Sequence, residues 1–402
     1  MAEVLDYNPY DPKFYTTKPF EIYKRMRDEQ PVYHSKEWGW YALSRFEDIN
    51  KAINDWKTYL SFEGLDIDNS GEQSAIGNMA YADNPHHDEL RRIVQPFFQP
   101  KSIQEMDHPI RRAVRQLISS WKPGANIDFA QQLAWPLPLV VFFELLGLPT
   151  DEKNLKDLER ISHQLKDRIP GTPELSETCW NANYELRAFL ASEIRLRQKE
   201  PKDDMLTHIV QAKINGVPFV DETLDEKSEI IGMLFLLFLA GFESTAGLLG
   251  TMIKLLGENP DQLDKLLANR DLIVPTIEET MRWATPLQLT ARTSSTDVKL
   301  HDVLIPAGSR VVLVVGSSNR DERQFENPDK FDITRPKFRH LGFGEGLHRC
   351  LGAPLARLEA QIFLEEALDT IGKFTLNGEA KFYPSSPNMY VWWNLPIALG
   401  GN

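Results

Sequence analysis

The amino-acid sequence predicts one large domain with a mainly helical α+β fold that carries small β-sheets. Three observations support this prediction. Much of the chain places apolar residues at helical spacing, and one such stretch is long enough to cross the whole molecule. Short β patterns occur near the beginning of the chain and in its last third. No linker, charge block or internal repeat divides the 402 residues, so a single unit, 1–402, is expected.

The N-terminal part is predicted to contain one helix and a small sheet. Apolar residues recur at helical spacing over residues 20–27, and Pro31 ends that helix. Residues 32–34 and 39–43 are typical of a small hairpin or edge sheet. A polar loop of roughly residues 64–82 follows, and loops of that length are usually functional.

Helical patterns then occupy the middle of the chain, at residues 110–121, 138–146, 151–165 and 177–198. Cys179 lies near the start of the last pattern, without His or Cys at metal-ligand spacing. We therefore interpret Cys179 as structural. The sequence Pro170-Gly171-Thr172-Pro173 separates two of these helices.

The longest helix is predicted over residues 225–256, closed by Gly257 and Pro260. At 1.5 Å per residue, its roughly 32 residues would span about 48 Å. The apolar run inside it covers residues 230–242, which is too short to cross a bilayer and indicates a buried helix.

The last third of the chain combines short helices and strands. Residues 275–282 form a predicted helix, and strands are expected at residues 298–300, 303–305 and 310–315. A turn is expected at Pro306-Ala307-Gly308, and residues 390–399 resemble a strand.

Composition excludes several kinds of partner. The net charge of −13 argues against nucleic acid, because phosphate binding needs a positive face. The first residues show neither the basic nor the apolar segment of a signal peptide. The two cysteines, Cys179 and Cys350, imply no disulfide framework. The sequence therefore predicts a cytoplasmic protein without nucleic-acid or membrane partners.

Residues 343–352, Phe-Gly-Glu-Gly-Leu-His-Arg-Cys-Leu-Gly, form the most informative stretch. Two glycines bracket a tight loop, and Cys350 stands just ahead of a helical pattern. A helix N-terminus favours a thiolate over a thiol, and a thiolate beside a glycine loop is suited to binding the iron of a flat ligand. The alternative is a buried structural cysteine, which is what most lone cysteines are.

Three further motifs place polar groups at helical spacing. His87 and Arg91 share one face at the start of a helix, and Glu279 and Arg282 meet at i, i+3. Each pair alone is typical of a solvated surface. The centre of the long helix reads Ala-Gly-Phe-Glu-Ser-Thr over residues 240–245, where small residues leave room for a flat group. The alternative there is a polar patch at which the helix reaches the surface.

Together, Phe-Gly-x-Gly-x-His-x-Cys-x-Gly, the acid–alcohol segment, Glu-x-x-Arg and His-x-x-x-Arg resemble the motifs of the cytochrome P-450 family, the bacterial soluble haem-thiolate monooxygenases. The resemblance covers the chain from about residue 20 to its end. It implies the family's mainly helical triangular prism with small sheets, enclosing haem b. It also implies that the Cys350 thiolate is the axial ligand of the iron.

The resemblance assigns roles to the other motif residues as well. Haem-binding residues would be His87, Arg91, Arg292 and His348, which neutralise the propionates, with Phe343, Ala240 and Gly352. Glu243 and Ser244, with Thr245 as a further candidate, would relay protons. The family usually has Thr where Ser244 stands. Glu279 and Arg282 match a folding element whose third partner is either Lys330 or Arg335.

The function implied is insertion of one oxygen atom from dioxygen into a small-to-medium, mostly apolar organic substrate, by hydroxylation or O-dealkylation. Electrons are expected from a separate ferredoxin with its reductase, since the sequence shows no flavin or nicotinamide module. An acidic donor would dock on the basic residues between Arg335 and Arg349. Two alternatives are a haem-thiolate peroxygenase or isomerase, which needs no acid–alcohol relay, and a non-catalytic haem gas sensor.

By the same resemblance, the substrate pocket draws on the long loop, the central helix, the segment before Arg292 and the C-terminal turn. Its residues would be Phe62, Leu65, Met79, Leu236, Leu239, Gln288, Leu289, Thr290, Asn388 and Met389. This lining is mostly apolar with a few amides and hydroxyls, as in most ligand pockets, and it leaves the substrate open.

Overall fold

The computed structural model describes residues 5–11, 13–16, 19–67, 77–149, 151–165, 167–169, 171–225, 227–383 and 388–400. About half of these residues lie in helices, and the strands are short, which confirms the predicted fold class. The helices are α1 Pro19–Glu29, α2 Phe46–Asn54, α3 His86–Val94, α4 Pro100–Glu105, α5 Asp107–Ile118, α6 Pro136–Leu146, α7 Glu152–Gln164, α8 Glu177–Lys199, α9 Met205–Gln211, α10 Glu229–Glu258, α11 Pro260–Ala268, α12 Ile273–Trp283, α13 Val315–Ser318 and α14 Ala353–Ile371.

The strands form one larger sheet and several small ones. They are β1 Val32–His34, β2 Tyr41–Leu43, β3 Tyr59–Leu60, β4 Asn126–Asp128, β5 Lys213–Ile214, β6 Val217–Pro218, β7 Thr290–Ser294, β8 Val298–Leu300, β9 Val303–Ile305, β10 Arg310–Leu313, β11 Thr375–Leu376, β12 Lys381–Phe382, β13 Trp392–Asn394 and β14 Pro396–Ala398. The larger sheet has the order β1-β2-β10-β7-β3, and β4, β11 and β14 form a second sheet.

The larger sheet brings distant segments to one place. The predicted hairpin of β1 and β2 is confirmed, with Tyr33 opposite Ala42. Strand β10 then joins β2 in parallel and β7 in antiparallel register, so that Val311 lies opposite Arg292. This pairing holds Arg292, whose side chain is buried, against the N-terminal sheet.

The central helix α10 starts at Glu229, later than predicted, and ends at Glu258. It stops there because Asn259 precedes Pro260, and a residue before proline is pushed out of the helical conformation. The helix is 30 residues long with a mean hydropathy of 1.8 in its most apolar window, long and apolar enough to cross a membrane, but 72% of that window is buried within the protein. It packs against α6, α8, α12 and α14, as a core helix does.

Two predicted strands have different bounds in the structure. The strand expected at 310–315 ends at Leu313, and the short helix α13 follows at Val315. The strand-like stretch 390–399 divides into β13 and β14, which pair with different partners. Local pattern could not show this division, because β13 pairs with the nearby β12, whereas β14 pairs with β4, far away in the chain.

A buried ion cluster fixes α12 against the segment before the cysteine loop. Arg282 donates two hydrogen bonds of 2.8 Å to the Glu279 carboxylate, and both side chains are almost fully buried. Arg335 completes the cluster, with its Nε 3.2 Å from Glu279 Oε2. The Lys330 ammonium instead contacts Asp332. Lys330 takes part in the cluster through its backbone carbonyl, which accepts a hydrogen bond from Arg282. The third partner is therefore Arg335.

Candidate active site

The loop that carries Cys350 is shaped by its glycines. Gly344 and Gly346 both have a φ of 63°, a region that favours glycine. A Cβ on Gly346 would lie 2.9 Å from Asn54 Oδ1 and 3.2 Å from the Ile53 carbonyl oxygen. The loop closes where the Cys350 N–H donates to the Phe343 carbonyl at 2.8 Å, and α14 begins three residues later.

The Cys350 side chain is exposed, although it lies deep among protein atoms. Burial raises the pKa of its thiol, while hydrogen bonds from the Gly352 and Ala353 N–H groups and the charges of Arg91 and Arg357 act in the opposite direction. The helix start therefore assists the thiolate, as expected, but does not outweigh desolvation by itself. A thiolate here needs a cation at its sulfur, which a bound iron would supply.

Four positively charged or chargeable groups lie close to that loop. The rings of His87 and His348 are 4.5 Å apart, and His348 Nε2 is 3.0 Å from Ser61 Oγ. Arg91 donates to the Arg349 carbonyl at 3.0 Å. Arg292 is buried and donates to the Ala291 carbonyl at 2.7 Å.

Burial lowers the pKa of each of these four groups, and neighbouring positive charges lower those of His348 and His87 further. Burial lowers the pKa of His348 to about 2, helped by the charges of Arg292, His87 and Arg91. Burial also lowers the pKa of Arg292 to about 10, with a contribution from the charge of Arg310. Buried cations that repel each other call for an anionic partner. The two propionates of haem would supply such charges, so the residues present fit this group.

The central helix α10 presents an open face in its middle. Ala240 is exposed in the middle of this mainly buried helix, and Leu236 and Ser244 are partly exposed at spacings of four residues, which places all three on one face. Ser244 Oγ donates to the Ala240 carbonyl at 2.7 Å. Thr245 and Glu243, which flank Ser244, are both buried. The small residue at 240 leaves room for a flat group, as the sequence predicted.

The predicted substrate residues differ in how far their side chains are exposed. Leu65, Leu236 and Leu239 are partly exposed, whereas Met79, Thr290, Asn388 and Met389 are nearly buried. Phe62 is 52% exposed.

Two of the predicted substrate residues have no surface open to a ligand in this structure. Leu289 is fully buried among Trp40, Ala42 and Val312, so its side chain packs in the core and does not line a pocket. Gln288 is fully buried as well, and its amide donates to the Thr285 carbonyl at 2.6 Å. Leu287, which the sequence did not single out, is the partly exposed residue of this segment, and it bridges to Met389.

The basic surface predicted between residues 335 and 349 is smaller than expected. Arg335 belongs to the Glu279 cluster, and His340 is buried against Glu278. His348 faces Ser61 rather than the outside. Arg339 is exposed but is paired with Glu345 at 2.8 Å. Lys337 and Arg349 are the exposed bases left in this stretch, and Glu345 offsets Arg339.

Comparison with known proteins places this arrangement in a family. The cytochrome P450 family model matches residues 265–377. Putative cytochrome P450 123 of Mycobacterium tuberculosis is 31% identical, over 98% of this chain and 97% of that protein.

The chain belongs to the cytochrome P450 family. A second relative is the polyketide biosynthesis cytochrome P450 PksS of Bacillus subtilis, 31% identical over 91% of both chains. Among solved structures, CYP109E1 from Bacillus megaterium in complex with testosterone is similar, with a TM-score of 0.86 and 28% identity over 96% of this chain and 99% of that one. This P450 is therefore a haem-binding monooxygenase, an oxidoreductase of a family whose iron takes a cysteine thiolate as ligand.

Sequence reasoning missed several residues around the cysteine of this P450. Glu278 and Arg357 form an ion pair beside Phe343, although 79 residues separate them in the chain. Ser61 contacts His348 from a strand end 287 residues away. The sequence signal was position: Glu278 precedes the Glu-x-x-Arg motif, and Arg357 lies just over one turn into α14.

Proposed function

We propose that Cys350 is the iron ligand of this P450, and that the enzyme oxygenates a small-to-medium, mostly apolar organic substrate. The observation that carries the proposal is a single one. An exposed thiol deep in the fold stands beside four buried or half-buried basic groups, and the pKa of each of them is lowered. A thiolate ligand and a dianionic edge are what haem presents to a protein. When bound, haem supplies the centre at which dioxygen is activated.

The protein's own groups would hold the cofactor by charge and by shape. His87, Arg91, Arg292 and His348 would bind the propionates, which relieves the repulsion among them. The exposed Ala240 would let α10 approach one face of the ring. Phe343 and Gly352 would contact the other face, next to Cys350, because both belong to its loop.

Proton delivery would depend on Ser244 and Glu243. Ser244 lies on the open face of α10, where its hydroxyl can exchange the bond to the Ala240 carbonyl for one to a group in the cavity. Glu243 is adjacent and buried, and a carboxyl group can lose and regain a proton. Thr245 is buried whereas Ser244 is partly exposed, which supports Ser244 as the alcohol of the pair.

The substrate would lie over the open face of α10. Leu236, Leu239 and Leu65 offer apolar surface there, with Leu287 added by the structure. The names of two relatives agree with an apolar substrate, since one acts in polyketide biosynthesis and the other was solved with testosterone. We propose hydroxylation or O-dealkylation of a compound of this polarity.

Electrons would come from a separate acidic ferredoxin with its reductase, in the cytoplasm. The cysteine side of the molecule carries the exposed bases Lys337 and Arg349, together with Arg92 on α3 and Lys101 on α4. A basic surface there would steer an acidic carrier. We expect the rate of reduction by a ferredoxin to fall with ionic strength and in Arg349→Gln, with Lys153→Gln as a control on α7, a helix that carries none of these bases. A rate independent of both would contradict this docking.

The test of the ligand is spectroscopic. The ferrous–CO complex of the wild-type protein should show the strongly red-shifted Soret band of thiolate ligation, and Cys350→Ser should lose it. Turnover with donor proteins but not with peroxide alone would separate the monooxygenase from a peroxygenase.

A further inference from the structure

A connected set of side chains lies on the outer side of the cysteine loop. Arg357 of α14 donates two bonds to Glu278 of α12, at 2.6 and 3.0 Å, in the bidentate geometry that fixes a guanidinium most firmly. His340 Nε2 lies 3.1 Å from the same carboxylate. Because the Gly342 N–H donates to His340 Nδ1 at 3.0 Å, the ring hydrogen is on Nε2 and points at Glu278.

This anchoring keeps Glu278 ionised and Arg357 in place. Burial alone would raise the pKa of Glu278, but hydrogen bonds from His340 and Arg357 outweigh it and lower the pKa to about 2. The carboxylate is therefore charged over the whole working range of pH. Arg357 is held at one end by this charge and cannot turn freely into solvent.

Arg357 also contacts the cysteine loop. The Arg357 guanidinium carbon lies 4.2 Å from the centre of the Phe343 ring, within the range of a cation–π contact. Phe343 in turn accepts the Cys350 N–H on its carbonyl at 2.8 Å. A fixed positive charge thus stands behind the proposed ligand.

We propose that Arg357 is a positioning residue that sets how strongly Cys350 donates electrons to the iron, and that Glu278 and His340 hold it in that position. The inference rests on the proposed ligation by Cys350. A positive charge behind the thiolate stabilises the centre when it gains an electron and withdraws density from the sulfur. The Glu278 carboxylate partly offsets this charge. Arg357 and Glu278 together therefore set how readily the iron is reduced, and hence how readily the enzyme accepts its first electron.

Removing the charge of Arg357 and removing that of Glu278 should then shift the reduction of the iron in opposite directions. Removing the positive charge in Arg357→Gln should make reduction less favourable, and removing the negative charge in Glu278→Gln should make it more favourable. We expect each to change the ratio of reduced to oxidised enzyme by about threefold at fixed potential, or about 30 mV for one electron at 59 mV per tenfold. Arg357→Lys keeps the charge and should stay near the wild type.

The experiment is a redox titration of the haem-loaded protein, paired with the C–O stretching frequency of the ferrous–CO complex. Stronger donation from the thiolate lowers that frequency, so Arg357→Gln should lower it and Glu278→Gln should raise it. Arg115→Gln is the matched control, because its partner Glu366 lies on the same helix α14, further along it. The control should shift neither quantity.

The outcomes separate this inference from the proposals on which it depends. Shifts of the same sign in Arg357→Gln and Glu278→Gln would mean a merely structural role and would overturn it, as would shifts no larger than the control. If Arg357→Gln fails to retain haem, Glu278→Gln alone decides, since an unchanged potential contradicts the proposal. A wild-type protein without the red-shifted band would instead contradict Cys350 as the ligand.

Discussion

Glu359 is a buried acid in the helix that follows the cysteine loop, and its removal should stabilise the protein at alkaline pH. The side chain is 2% exposed, and its Oε2 has no hydrogen-bond partner among the described residues. Burial raises the pKa of this carboxyl from its usual 4.5 to about 8. Glu359 is therefore protonated in the folded protein at neutral pH, although it would be ionised in the unfolded chain.

The sign of the effect follows from this difference. The folded state binds the Glu359 proton more tightly than the unfolded chain does. The stability that comes from this proton is therefore present at low pH and is lost as the pH rises from about 4.5 to about 8. Between pH 6 and pH 8 the loss is about 2 kcal/mol, taking about 1.4 kcal/mol per pH unit and half-titration at pH 8. With an unfolding entropy of about 2 cal/mol/K per residue, this corresponds to about 3 °C in Tm for a chain of this length.

Glu359→Gln replaces the titrating group by a neutral amide of the same shape, and the loss should disappear. The Tm of the variant minus that of the haem-loaded wild type should therefore grow by about 3 °C from pH 6 to pH 8, measured by circular dichroism at one scan rate. Glu365→Gln is the control on the same helix, because the Glu365 carboxylate is bound to Arg111. Its difference from the wild type should not change with pH. An equally constant difference for Glu359→Gln would refute the reasoning.

Three other substitutions test the site and its support. Cys350→Ser should abolish both the red-shifted ferrous–CO band and oxygenation, whereas Cys179→Ser should keep both, because the Cys179 thiol only donates to a backbone carbonyl in the core; normal turnover of the first variant would contradict the assignment. Ser244→Ala should lower product per reductant consumed, with the difference appearing as hydrogen peroxide, while Ser244→Thr should couple at least as well as the wild type; an uncoupled Thr245→Ala beside a coupled Ser244→Ala would move the role to Thr245. Arg335→Ala should reduce the free energy of unfolding by about 3 kcal/mol in urea titrations, since it removes a cation from the buried Glu279. A comparable loss on removing another side chain of that segment, away from the cluster, would contradict this.

Much of the fold and the family followed from short-range patterns. Helix periodicity, proline stops and glycine turns depend on residues a few positions apart, so α10, the hairpin of β1 and β2, and the Cys350 loop could be predicted locally. The four motifs are also local, and their order along the chain sufficed to indicate a haem-thiolate monooxygenase. The exact start of α10 needed more, because the Ser228 hydroxyl donates to Asp221 and does not cap the helix.

Which side chain meets which partner was decided only in three dimensions. The sequence left Lys330 and Arg335 as equal candidates beside Glu279, and only packing showed the ammonium turned toward Asp332. The resemblance also placed Leu289, just ahead of β7, in the substrate pocket, whereas packing buries it in the core cluster that contains Trp40. In a strand, one step in register exchanges the two faces, and local pattern does not determine that register.

The predicted basic docking surface shows that the sequence does not determine which charged side chains remain exposed either. A run of basic residues in sequence predicted a docking face, but Arg335 and His340 are used inside the protein by acids from α12. The ion pair between Glu278 and Arg357 could not be predicted from the sequence either, because no local pattern links the two residues. Backbone conformation is fixed by neighbours along the chain, whereas ion pairs, burial and pKa values depend on neighbours across it, and those exist only once the helices have packed.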